Sequence, residues 1–226
     1  MDDLNRGQPS RLKEDLLAAV IILERGAESV RAVMSSEQNR FSLVLEDLQR
    51  FCHSEGIPIA IVGGLAAIRY GYLAGTQHID IAVARDHLNT LVEAAPTYGF
   101  KVVWMAESGW HTLTHGDVEI NVIPEGGRAR STAPTTIPSP VELGVKQGLG
   151  YASLPGWIEL KISSGRQKDR AHVVEVMKKS DPGTVRSARD HIAQVHQAYL
   201  AVFDQLLEEA EEERSQEEER GGFKQE

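Results

Sequence analysis

Apolar positions along this chain recur at two periods, about 3.6 and 2, and each switch between them marks an element. From Leu12 onward, Leu16, Leu17, Val20, Leu23, Ala27, Val30 and the pair Val33/Met34 follow helical spacing, behind Ser10, a residue type that caps a helix beginning at Arg11. Residues 18–23 (AAVIIL) are apolar on most sides, so this helix needs a partner: the body of the chain or a second copy of it. Ser35-Ser36 reads as a break. Phe41, Val44, Leu45, Leu48 and Phe51/Cys52 then form the inner face of a helix over 37–53, which Gly56 and Pro58 end.

The stretch 57–83 is the centre of the chain. Ile59, Ala60, Ile61 and Val62 form an apolar run short enough for a buried strand. Gly63-Gly64 turns the chain with room for a phosphate, 65–70 reads as a short helix, and 78–83 as a second strand. His78 and Asp80 are two residues apart in that strand and project from one face, back towards the turn. Downstream, 86–98 reads as a helix capped by Asp86, and 101–105 and 110–114 as strands. Gly116-Asp117 reads as a hairpin turn into a strand over 118–123. In that last strand Val118, Ile120 and Val122 share one face, and Glu119, Asn121 and Ile123 the other. The hairpin makes at least one pairing antiparallel, so a mixed sheet is expected.

Residues 124–140 are rich in Gly, Pro, Ser and Thr and form a long irregular segment whose Arg128 and Arg130 suit either phosphate or solvent. Helices are expected over 154–163, ended by Gly165, and over 167–179. After the Ser180–Gly183 turn, one long helix follows from Thr184 along Ala188, Ile192, Val195, Tyr199, Phe203 and Leu206. Beyond Leu207 the chain is nearly all charge and reads as frayed.

Composition narrows the class. The 226 residues suffice for one domain with helical extensions or for two small ones. A single cysteine, Cys52, excludes an intramolecular disulfide and fits a reducing compartment. No run approaches the roughly 20 apolar residues of a membrane helix, and the first residues lack a signal peptide's apolar core, so a cytoplasmic protein without membrane contact is expected. The net charge of -9 is uneven: 204–226 holds ten acidic and three basic residues, leaving about -2 for the rest. Neither part is a general nucleic-acid-binding surface. No Ser-His-Asp pattern or Walker-type loop is present. His111 and His115, at i and i+4, would share a face on a helix but fall on a strand and turn. Trp104, Trp110 and Trp157 read as core or pocket wall in preference to a base-stacking platform.

The glycine turn followed by a strand with paired polar residues resembles the nucleotidyltransferase superfamily with a DNA polymerase β-like core, in its AbiEii and aminoglycoside-nucleotidyltransferase branch. There the second motif often reads R-x-T-x-D-I-D; here Ala74 to Asp80 read AGTQHID, so Thr76, Ile79 and Asp80 match, while the arginine and the first acid do not. A second likeness covers K-L-x-A-x-R-x-K-D-x-x-D, where Lys161, Arg166, Lys168 and Asp169 match and His172 replaces the closing acid. The resemblance implies an α/β (α+β) fold: a mixed-sheet nucleotidyltransferase-like core with helices, plus added N-terminal and C-terminal helices. The expected organisation is 1–35 as a helical extension, 36–125 as the core, 126–180 as the loop and helices completing it, and 181–226 as a C-terminal helix with an acidic tail.

The implied reaction moves a nucleoside monophosphate from an NTP to an acceptor hydroxyl, and it needs positioning and charge neutralisation. Two Mg²⁺ ions (or Mn²⁺) about 4 Å apart bridge the reacting oxygens and are held by carboxylates. The family thus uses three acids. On this chain the catalytic and metal-binding candidates are Asp80, Glu119 and His78. His78 takes the place of the first acid, Asn121 aligns with the third, and Glu119 can substitute from the same face with a longer reach. Gly63, Gly64, Thr76, Lys161, Arg166, Lys168 and Asp169 are the nucleotide-binding candidates. Three readings follow. One is an active, metal-dependent nucleotidyltransferase acting on RNA, a protein or a small molecule. The second is a degenerate active site on the same fold, a toxin–antitoxin-type or structural module that binds nucleotide, RNA or protein, with oligomer formation through the terminal helices. The third is another α/β protein. Beside all three, Lys161, Arg166, Lys168 and Asp169 taken alone read as a structural ion-pair network linking helices.

Overall fold

The computed structural model describes residues 40–72 and 76–222. The expected helix over 11–34, and the oligomer contact read there, lie outside them, as do Ala74 and Gly75. The elements in order are α1 (Arg40–Glu55), β1 (Ile59–Val62), α2 (Gly63–Arg69), β2 (His78–Val83) and α3 (Leu88–Ala94). Then come β3 (Lys101–Met105), β4 (His111–His115), β5 (Val118–Pro124), β6 (Leu149–Tyr151), α4 (Leu154–Ser164), α5 (Gln167–Lys179), α6 (Pro182–Val195) and α7 (Gln197–Gly222).

The six strands form one mixed sheet in the order β3-β4-β5-β2-β1-β6. β1 runs antiparallel to β2 and parallel to β6, β2 parallel to β5, and β4 antiparallel to both β3 and β5. Alternation along the central strands gives the sheet two apolar faces. Ile59, Ile61, Ile79, Ile81, Ile120 and Val122 pack under α1 and α3, with Phe41, Leu45, Leu48 and Phe51. Ala60, Val62 and Ala82 pack under α4–α7, with Trp157, Val173, Ile192 and Phe203. Small residues on the second face let the helices approach the backbone closely. His78 and Asp80 point to that face and lie where the helices no longer cover it.

Several elements depart from the periodicity. Asp86 caps nothing: it sits in a 3-10 turn (Arg85–His87), and α3 begins at Leu88 without a side-chain cap. Strand β6 carries no hydrophobic pattern and exists by backbone pairing to β1. The single long helix expected from Thr184 is two. α6 starts earlier, at Pro182, with Asp181 accepting from the Thr184 amide. The chain breaks at His196, which is extended (φ -166°, ψ 137°) and whose Nδ1 accepts the Ala198 amide at 3.1 Å. Nor is the acidic end frayed. α7 remains helical to Gly222, buries Tyr199, Phe203, Leu206 and Ala210 at helical spacing, and pairs Glu213 and Glu217 with Lys178 of α5 at 3.0 and 2.5 Å. Buried lysine nitrogen finds three carboxylates there, counting Glu175 at 3.2 Å, so part of the tail's charge is used in docking.

The 124–140 segment is anchored too. Gly126 donates to Ile137 O, Ile137 donates to Gly127 O, and Ala133 and Ile137 are buried. Arg128 hydrogen-bonds the carbonyl of Ala133 and so braces its own loop. No described helix is long and apolar enough to cross a membrane. Burial pushes the Cys52 thiol up to about 12, which leaves it a packing residue.

Candidate functional site

The uncovered part of the second sheet face is a cleft of about 690 Å³ between β2, β5 and the edge strands on one side and α4 and α5 on the other. It brings together Gly63, Gly64, Thr76, His78, Asp80, Lys161, Arg166, Lys168 and Asp169. Glu119 is the one site candidate that does not line it; it is exposed on β5, in register with His78.

The glycine pair is required by the protein's own side chains. Gly63 has φ +65°, and a Cβ there would lie 1.9 Å from Asp80 Oδ2; a Cβ on Gly64 would lie 2.8 Å from Thr76 Cβ. The missing side chain at Gly63 leaves room for the Asp80 carboxylate. Trp157 fixes the turn from the opposite wall, its indole Nε1 donating to Gly63 O at 3.0 Å. Thr76 Oγ1 donates to His78 O at 2.9 Å and holds the start of β2.

Asp80 is nearly enclosed. Asn121 Nδ2 donates to its Oδ1 at 3.1 Å, and His78 Nε2 stands 3.4 Å from the same oxygen. Burial alone would raise the Asp80 pKa, but the His78 hydrogen bond and charge, the Asn121 amide and nearby Lys161 outweigh it and hold the carboxyl below its ordinary value. The hydrogen bond to Asp80 holds His78 above its ordinary value against its own desolvation, with Glu119 adding a smaller attraction.

The helical wall is built round Asp169, which is fully buried. Lys161 Nζ lies 2.5 Å from Oδ1; Ser164 Oγ at 2.5 Å and Arg166 Nε at 2.7 Å donate to Oδ2. Desolvation of Asp169 is outweighed by these partners, Lys161 first, and its pKa stays low. Lys161, Arg166 and Asp169 thus form the ion-pair network that was one reading of the motif, while Lys168 stands outside it. Lys168 and Arg130 have no carboxylate partner among the described residues. Arg130 lies against Gly165, where a Cβ would come 2.2 Å from its Nη1. His111 and His172 also line the cleft; each has a buried Nδ1 without a hydrogen-bond partner among the described residues, and burial lowers both pKa values.

In sum, four basic side chains face two carboxylates, and His78 leans towards the protonated form. Such a cleft attracts anions. It does not fit a pair of hard divalent cations. Asp80 Oδ1 is already engaged by an amide and an imidazole, Asn121 directs its amide donor at that oxygen, and Glu119 lies outside. Among the described residues no group of three or more His, Cys, Asp or Glu is arranged to hold a metal.

Sequence reasoning missed several members of this site. Ser164 acts through a bond to Asp169 that no motif carries, and so does the Trp157 indole that holds Gly63. Trp104 and Trp157 line the cleft as their reading as pocket wall expected, Trp104 being 54% exposed at the rim. Asn121, read as aligning with a third acid, donates to the neighbouring Asp80.

No family model and no curated protein sequence matches the chain. Among solved structures, the solution structure of the antibiotic-resistance factor ANT(2'')-Ia is similar at 14% identity, covering 80% of this chain and 97% of that one, with a TM-score of 0.39. The crystal structure of ANT(2")-Ia in complex with adenylyl-2"-tobramycin is similar at 13% identity, covering 72% and 94%, with a TM-score of 0.39.

Proposed function

We propose that the cleft binds a nucleotide, or another phosphate-bearing ligand, through its basic side chains without a divalent metal, and that the chain is a binding module on a nucleotidyltransferase-like core. One observation carries this reading. Asp80 Oδ1 is engaged by Asn121 and His78 and Oδ2 lies against the Gly63 turn, while Arg130 and Lys168 stand without carboxylate partners among the described residues. Phosphate oxygens satisfy such cations directly. Transfer of a nucleoside monophosphate would instead require the acids to be free for metal.

Titration calorimetry in EDTA tests this. ATP and tripolyphosphate should bind, magnesium should not strengthen the binding, and the double variant Arg130→Ala/Lys168→Ala should bind at least about 10-fold more weakly. Labelled NTP incubated with Mg²⁺ or Mn²⁺ should leave no label on the chain or on added RNA. Metal-dependent transfer that Asp80→Ala abolishes, or binding that appears only with metal, would overturn the proposal.

A further inference from the structure

The cleft continues along the sheet beyond its charged part. Val62, Asp80, Asn121, Thr112 and Trp104 are consecutive cross-strand partners, one each from β1, β2, β5, β4 and β3. Direct partners share a face, so the row is a single floor. At one end Val62 leads into Gly63; at the other stands Trp104, at the edge of the sheet. Three strand spacings separate Asp80 from Trp104, about 14 Å.

Simple alternation would not put Trp104 there. Val102 packs with the core under α1 and α3, and a residue two places on should face the same way. A bulge between Val102 and Trp104 breaks the register, so that Val102 pairs with Leu113 but Trp104 pairs with Thr112. Bulges turn side chains in this manner and recur beside functional sites. Its result is a large indole, more than half exposed, carried to the rim of a cationic cleft. Hydrophobic burial would favour the opposite facing.

From this row we infer that Trp104 is the stacking platform for the base of a nucleotide whose phosphates lie among Arg130, Lys161 and Lys168. This rests on the phosphate-binding reading above and adds the ligand class: an extended phosphate ester with a planar aromatic ring. Stacking on an indole is tolerant of base identity, so the platform contributes affinity for nucleotides as a class.

The test compares ATP with tripolyphosphate on unmodified chain, Trp104→Ala and Trp104→Phe, in EDTA, by calorimetry and tryptophan fluorescence. Trp104→Ala should bind ATP between about 5- and 150-fold more weakly and tripolyphosphate equally well. Trp104→Phe should keep ATP affinity within about 5-fold, because a phenyl ring still stacks. ATP should quench emission of the unmodified chain more than that of Trp104→Phe, and tripolyphosphate should quench neither. If Trp104→Ala binds ATP as well as the unmodified chain does, the platform is refuted while the cleft reading stands. Equal loss of both ligands refutes it too, as does a change in oligomeric state with ATP binding intact, which would make β3 an interface between copies. Should the unmodified chain bind neither ligand, the cleft reading falls and this inference with it.

Discussion

The two walls of the cleft each centre on one aspartate, and the two are treated differently. On the helical wall Asp169 has no exposed surface and receives a lysine, an arginine and a serine. On the strand wall Asp80 receives an amide and a partly exposed imidazole. The first is a structural hub whose charge is fully matched inside the protein. The second is held in place by weaker donors at the cleft surface, where a ligand can compete with them. Matching of residue type to a motif thus conceals two distinct physical jobs.

That contrast can be broken most forcefully at Asp169. Replacing it with Asn leaves Lys161 buried beside a neutral amide, and the loss of a buried partner costs about 3–5 kcal/mol. A fall in melting temperature of roughly 6 °C or more should be seen by calorimetry. A loss under about 1 kcal/mol would place Asp169 with the peripheral pairs. Gly63→Ala comes next. It must adopt φ +65° and push its methyl into Asp80 Oδ2; the backbone alone costs about 1–2 kcal/mol, and displacement of Asp80 adds to that in urea unfolding. Asn121→Asp sharpens the comparison from the strand side. Two carboxylates in register repel by about 1 kcal/mol, and Mg²⁺ or Mn²⁺ should raise the melting temperature of this variant and not that of the unmodified chain.

The smallest effect is a titration. His78 should titrate above 6.5 by NMR, and Asp80→Asn should bring it back towards 6.5. A raised histidine contributes stability that is complete below about pH 6.5 and lost as pH rises through its folded value. Asp80, lowered from 3.8, contributes above that pH and loses it as pH falls through its own folded value. The pair therefore supports the fold between about pH 4 and 6.5. Phosphate affinity should weaken as His78 deprotonates. An unshifted His78 would remove the strand wall's share of positive charge.

How much of this was legible in the sequence depends on what made each feature. β1, β2, β5, α4 and α5 are written in local periodicity, and Gly165 ends α4 at φ +66° as a C-terminal glycine should. β6 was invisible because Leu-Gly-Tyr has no pattern of its own and becomes a strand only beside β1. The break at His196 was missed because neither proline nor glycine marks it; the histidine side chain itself caps α7. Charge alone predicted a frayed tail, yet Lys178, distant in sequence, binds its glutamates. The partners of Asp80 and Asp169 arise from tertiary register, which single residues do not announce. Trp104 lines the cleft, as its reading as pocket wall allowed, but the bulge that carries it there is not written in the sequence.

The indole of Trp157 ties one wall of the cleft to the other. It is rooted in the helical layer, with no exposed surface, and it grips the carbonyl of Gly63 on the other wall. Opening the walls would sacrifice that bond and strand a buried donor, at about 1–3 kcal/mol. That cost biases the cavity towards the spacing seen here. A visitor that fits this spacing spends little of its binding energy on shaping its berth, and a broader one forfeits the Trp157–Gly63 bond.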